Sequence, residues 1–145
     1  MLHRILHAFS APRPAPLPEP DDKLALGALM VRIAKSDHQY DVSEIKRIDR
    51  LLARLYSLGP LDAARMRATC ERLEHAAPDT ARFGHVIRET VSLEARLGAL
   101  EALWEVVLSD GVSHPDEVQV LDAAREAMGL SHADSDAARS LAEGQ

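Results

Sequence analysis

Asp37-His38-Gln39-Tyr40-Asp41-Val42-Ser43-Glu44 and Asp110-Gly111-Val112-Ser113-His114-Pro115-Asp116-Glu117 are two spellings of one stretch. In each, a Ser-Asp pair (Ser36-Asp37, Ser109-Asp110) ends an apolar run of helical spacing, and a Glu seven residues after the Asp opens the next run. A shift of 73 positions also aligns Leu24 with Leu97, Met30 with Leu103, Ile33 with Val106, Ile48 with Leu121 and Asp49 with Asp122. Apolar places stay apolar and the acidic pair keeps its spacing. One helix-elbow-helix unit therefore recurs at each end of the domain. The two hairpins are expected to pack on each other with approximate twofold symmetry, bringing both elbows to one region of the surface.

The chain around these units reads as helix throughout. Asp21 or Asp22 offers an N-cap to a first run through Leu24, Leu26, Leu29, Met30 and Ile33. A second run carries Ile45, Ile48, Leu51, Leu52 and Leu55 and stops at Gly59-Pro60, a breaker pair. A third helix, about Leu61 to His75, offers Leu61, Ala64, Met66 and Leu73, and Pro78-Asp79-Thr80 opens a fourth holding Phe83, Val86, Ile87 and Val91. Ser92 caps a fifth through Leu97, Leu100, Leu103, Trp104, Val107 and Leu108. A sixth, with Val118, Val120, Leu121, Ala124 and Met128, closes at Gly129, and a last helix spans roughly Ala133 to Ala142. No segment alternates with period two between turn signals. The fold class is all-α, with about seven helices.

Ahead of the domain, Pro12, Pro14, Pro16, Pro18 and Pro20 fall at every second position, so residues 10–21 are expected to form an extended proline-rich linker. Before it, residues 1–9 place Leu2, Ile5, Leu6 and Phe9 on one helical face and lack the apolar core and cleavage site of a secretory signal. They are expected to pack as a short amphipathic segment or fray; contact with a membrane surface or a partner is the alternative. The domain proper is placed at 22–145.

Composition excludes several classes. Ala and Leu dominate an apolar share of 46%, with few aromatics, which favours helix over strand. A formal net charge of −6 argues against a nucleic-acid grip, which needs a basic face. Cys70 stands alone, so no internal disulfide forms, which fits a reducing compartment and a cytoplasmic location. It is read as a small buried apolar residue. No apolar run reaches the ~20 residues of a membrane span.

The elbow carboxylates admit two accounts. Glu44 and Glu117 suit a first helical turn: with Asp41 as N-cap Glu44 sits at N3, and with Ser113 as N-cap Asp116 takes that place. Asp37 and Asp110 lie at helix C-terminal ends, where the dipole disfavours a negative charge by ~0.3–1 kcal/mol. Either each accepts amide hydrogens from its own loop, or a hard cation is held by oxygen ligands. The candidate ligands are Asp37, Asp41 and Glu44 in one elbow and Asp110, Asp116 and Glu117 in the other. A seven-residue spacing cannot share a helix face, so each pair meets only if its elbow closes. His38 and His114 are read as exposed loop residues, His85 as partly buried, and Phe83 and Trp104 as core.

Asp110-Gly111 followed by Glu117, preceded by Leu103-Trp104-Glu105-Val106-Val107 and by Asp79 and Phe83, resembles the TerB-like tellurite-resistance family. More narrowly it resembles the bacterial members that carry a short N-terminal leader. The likeness covers about Asp22 to Arg139. The chain departs from the family pattern at His38, where Gly is usual, and at Ser36 and Ser109, where Ala is usual. A non-glycine at 38 argues against a positive-φ turn there. The resemblance implies an all-helical bundle with paired acidic elbows, metal binding at Asp37, Glu44, Asp110 and Glu117, and a link to tellurite or chemical stress.

No Ser-His-Asp nucleophile elbow, HExxH or glycine-rich phosphate loop occurs. The expected function is a non-catalytic acidic module holding a divalent cation of calcium or magnesium type. The alternative is a protein-interaction scaffold, with an unknown protein partner, in which the elbows are only helix caps.

Overall fold

The computed structural model describes residues 16–144; the segment 1–9 and the first part of the linker lie outside the described residues. Residues 16–21 have no regular secondary structure. Seven helices follow: α1 Asp22–Lys35, α2 Val42–Tyr56, α3 Pro60–Ala76, α4 Ala81–Thr90, α5 Leu93–Val107, α6 Pro115–Ala127 and α7 His132–Glu143. Among the described residues there is no strand.

Helix α1 is the axis of the bundle because it is apolar almost all round. Ala25, Leu26, Ala28, Leu29, Met30, Val31, Ile33 and Ala34 are all buried, and the helix touches α2, α3, α4, α5 and α6. Asp21 starts it as the sequence indicates, its carboxylate accepting the Leu24 amide at 2.8 Å. Gly27 keeps α1 close to α3, since a Cβ there would run into the Cys70 side chain. Cys70 itself is fully buried, as expected of a small apolar residue. Helix α5 is the second core element: Leu100, Leu103, Trp104 and Val107 are buried, and the Trp104 indole donates to Ser135 Oγ of α7 at 3.0 Å.

The ends of the helices follow local chemistry. Ser57 turns left-handed (φ 54°) at the end of α2, after which Gly59 caps and Pro60 begins α3. Helix α6 ends on Gly129 (φ 75°), with the Gly129 amide donating to Glu126 O and the Leu130 amide to Arg125 O, a Schellman arrangement. Ser131 and Asp134 then form a capping box for α7.

Helices α2 and α6 begin 73 residues apart, at Val42 and Pro115. The packing of α1 on α3 in the first half has its counterpart in α5 on α7 in the second. His85 is exposed on α4, contrary to the partly buried place expected of it; Phe83, Gly84 and Ile87 take the inward face instead.

Candidate metal centre

The two elbows are built by the same backbone hydrogen bonds. In the first, the Ser36 amide donates to Ile33 O and the His38 amide to Lys35 O; in the second, Ser109 donates to Val106 O and Gly111 to Leu108 O. Each Asp then accepts from its own loop, Gln39 N to Asp37 Oδ1 at 2.9 Å and Val112 N to Asp110 Oδ1 at 3.1 Å. These Asx turns offset the unfavourable dipole at the C-terminal ends of α1 and α5. The turn also needs a left-handed residue one place after the Asp. Gly111 supplies it at φ 81°, and His38 adopts it at φ 62° despite its Cβ. The sequence argument against a positive φ at His38 is therefore overturned: the loop hydrogen bonds hold the residue there.

Asp41 caps α2, with Oδ1 accepting the Glu44 amide at 3.1 Å and the Ser43 hydroxyl at 2.7 Å. Those bonds, Ser43 first, hold its carboxyl below the usual range. In the second elbow the N-cap is His114, not Ser113, because Pro115 takes the first helical position. Glu117 thus occupies N3, the place Glu44 holds in α2, and Asp116 lies exposed one residue earlier. His114 caps nothing with its side chain. It reaches back instead, Nε2 lying 2.9 Å from Asp110 Oδ2. That contact holds the Asp110 carboxyl below its usual range and raises the imidazole.

Packing of the two hairpins brings Asp37, Glu44 and Glu117 together, with carboxylate oxygens within 4.8 Å of one another. Asp41, Asp110 and Asp116 are outside this group. Asp41 is engaged as a cap, Asp110 is drawn to His114, and Asp116 faces solvent. The asymmetry between otherwise matching elbows comes from position 41 against position 114: an acidic N-cap cannot hold Asp37, whereas a histidine holds Asp110.

The group is charged against its surroundings. Glu117 is only 4% exposed, and Glu44 Oε2 is buried with no hydrogen-bond partner. Burial first, and the Asp37 charge second, push the carboxyls of Glu44 and Glu117 each up to about 7. Lys35, two residues before Asp37, is drawn away to Glu74 Oε1 at 2.8 Å. Three carboxylates converging on one point, two of them with a raised proton affinity, can share protons or surround a hard cation.

Fold and site together define an all-helical module with paired acidic elbows. The family model described as tellurite resistance protein TerB matches residues 23–140, and the chain belongs to that family. Neither a curated protein nor a solved structure matches the chain. No helix among the described residues is long and apolar enough to cross a membrane.

Proposed function

We propose that this chain is a non-catalytic cytoplasmic module that holds a divalent cation of calcium or magnesium type at Asp37, Glu44 and Glu117. The observation that carries the reading is the burial of acidic groups: Glu117 at 4% exposure, beside a buried Glu44 oxygen without a hydrogen-bond partner. Burying converging carboxylates is costly, most of all where an oxygen lacks a donor, and a cation removes the cost by supplying the missing positive charge. Three carboxylates offer up to six oxygens, with water completing the shell of a hard ion. Asp110, whose charge also acts on both glutamates, is available as an outer ligand if His114 releases it. Recurrence of the elbow in both halves supports a duplicated helix-elbow-helix ancestry for the site. Family membership supports a connection to tellurite or other chemical stress.

The Asx turns favour a second reading, an interaction scaffold in which the elbows serve only as caps. Thermal melts of metal-stripped protein with added calcium, magnesium, manganese or zinc separate the two. A ligand at a hundredfold over its dissociation constant stabilises by ~2.7 kcal/mol. That rise is expected in the parent and absent in the Asp37→Asn/Glu117→Gln double variant. Equal melting of both with every ion would leave the elbows as caps.

A further inference from the structure

Helix α4 lies across α1 and α6. Gly84 packs on Ala127, the Arg88 guanidinium lies against Gly129, and the Phe83 ring centre is 5.9 Å from the Arg32 guanidinium carbon. The 73-residue shift carries α1 to α5 and α2 to α6, and with them Arg32 to Glu105, Arg54 to Ala127 and Tyr56 to Gly129. Glu105, Arg54 and Tyr56 all line one groove of about 440 Å³, between the start of α1, the ends of α2 and α4, and the first half of α5. The groove is thus the counterpart, across α5 and α2, of the seat that α4 occupies across α1 and α6. Among the described residues no helix fills it. The stretch 73 places before α4 is 8–17, which with Pro12, Pro14 and Pro16 does not read as a helix.

We infer that this groove receives an amphipathic helix of a partner protein, with large apolar side chains at i and i+4 and a third one turn further on. That is the pattern of Phe83, Ile87 and Val91, and α4 at 10 residues sets the length at about three turns. The receiving face sets the size of the incoming side chains. Ala99 and Ala102 on α5 stand where α1 has Leu26 and Leu29, and Gly98 stands where it has Ala25. Those three residues of α1 are buried. The matching face of α5 is therefore cut back by several methylenes, and large side chains from outside restore the close packing of an interior. Leu26 and the exposed Leu55 give them apolar surface to meet. Arg54 and Glu105 pair with each other on the wall, so shape and apolar area carry the contact rather than charge. A second copy of this chain has no such helix to offer. Among the described residues, the large apolar side chains left exposed on helices are Val42, Leu55, Leu61, Leu93 and Leu141, no two of them a turn apart.

The probe is a synthetic peptide of residues 79–92 carrying Gly84→Ala and His85→Lys. A lactam bridge from position 85 to Glu89, both on the exposed side of α4, holds it helical. The change at Gly84 keeps the peptide out of α4's own seat, where a Cβ would come to 2.5 Å from that of Ala127. In the groove the same place faces the flexible Arg54 side chain. Added to the isotope-labelled full chain, the peptide is expected to shift the amide signals of Leu55, Ala95, Gly98 and Ala102 to saturation. Phe83→Ser/Ile87→Ser in the peptide should weaken binding roughly tenfold or more. Gly98→Phe in the protein should abolish it, filling the groove from a position where an added Cβ meets nothing within 4 Å. Ala95→Arg blocks the groove from a second exposed position and serves if the first variant does not fold. Four results overturn the inference. One is the absence of saturable shifts, and another is binding that survives the block at position 98 or 95. The third is shifts centred on Ala124 and Ala127, which make the peptide a substitute for α4. The fourth is a parent chain that sediments as a dimer and is dispersed by Gly98→Phe, which makes a second copy the occupant.

Discussion

Replacing Glu117 by Gln should stabilise the metal-free protein, and only at the alkaline side. Glutamine keeps the size and the N3 place in α6 while removing one of three converging charges. A glutamate whose proton affinity rises to about 7 carries at most roughly 3 kcal/mol of penalty when ionised. Sharing of that penalty among Asp37, Glu44 and Glu117, and solvent at the elbow mouth, reduce the gain to ~1–2 kcal/mol. The sign follows from linkage. The folded carboxyl binds its proton more tightly than the unfolded one, so the penalty is absent below the ordinary glutamate range, grows as pH rises to about 7, and is fully present above it. Urea melts at pH 8 and pH 5 measure it: the variant should lead by that margin at pH 8, about 3–6 °C in a thermal scan, and by a small fraction of it at pH 5. Saturating calcium should reverse the order, because only the parent gains from the ion. A variant less stable than the parent at pH 8 without metal, or an equal difference at both pH values, refutes the reasoning.

Other perturbations probe the scaffold that sets the site. His38→Gly relieves a left-handed Cβ, less the added freedom of the unfolded chain, and should raise stability by ~0.5 kcal/mol in denaturant melts. A loss there would mean that the imidazole makes a contact worth more than the strain. Gly84→Ala drives a Cβ to 2.5 Å from that of Ala127 and to 3.1 Å from the Ala124 carbonyl oxygen, forcing α4 off α6. It should cost ~1–3 kcal/mol by urea unfolding, and a neutral result would show that the helices can separate freely. Cys70 should resist a thiol-reactive disulfide reagent in native buffer at pH 8 and react fully in denaturant, since burial raises its thiol to about 12. Fast native labelling would contradict that burial.

The sequence is most informative where the physics is local. Spacing of Leu29, Met30 and Ile33, the cap at Asp21, the break at Gly59-Pro60 and the stop at Gly129 each act within a turn or two, and each is where the structure has it. The 73-residue shift also reaches into the elbows, where the Ser36 and His38 amide bonds are matched by those of Ser109 and Gly111. What the residues alone do not reveal is which carboxylates meet. Glu117 joins Asp37 and Glu44 across two hairpins, and that depends on how the α1–α2 hairpin packs on the α5–α6 hairpin rather than on any spacing along the chain. The role of His114 was missed for a related reason. Its i, i+4 relation to Asp110 crosses a turn, where helical spacing rules give no direction, and Pro115 moved the cap from Ser113 to His114. His38 shows the same limit from the other side: a glycine rule forbids what three loop hydrogen bonds enforce.

The claim that the acidic group holds a cation is tested most directly by calcium titration calorimetry on metal-stripped protein at pH 7, run in buffers of differing ionisation enthalpy. Glu44 and Glu117, each near half-protonated there, must give up their protons to bind the ion. The account expects release of about one proton per calcium at pH 7 and almost none at pH 9. Binding with no proton release at pH 7, or no binding heat at either pH, would contradict it.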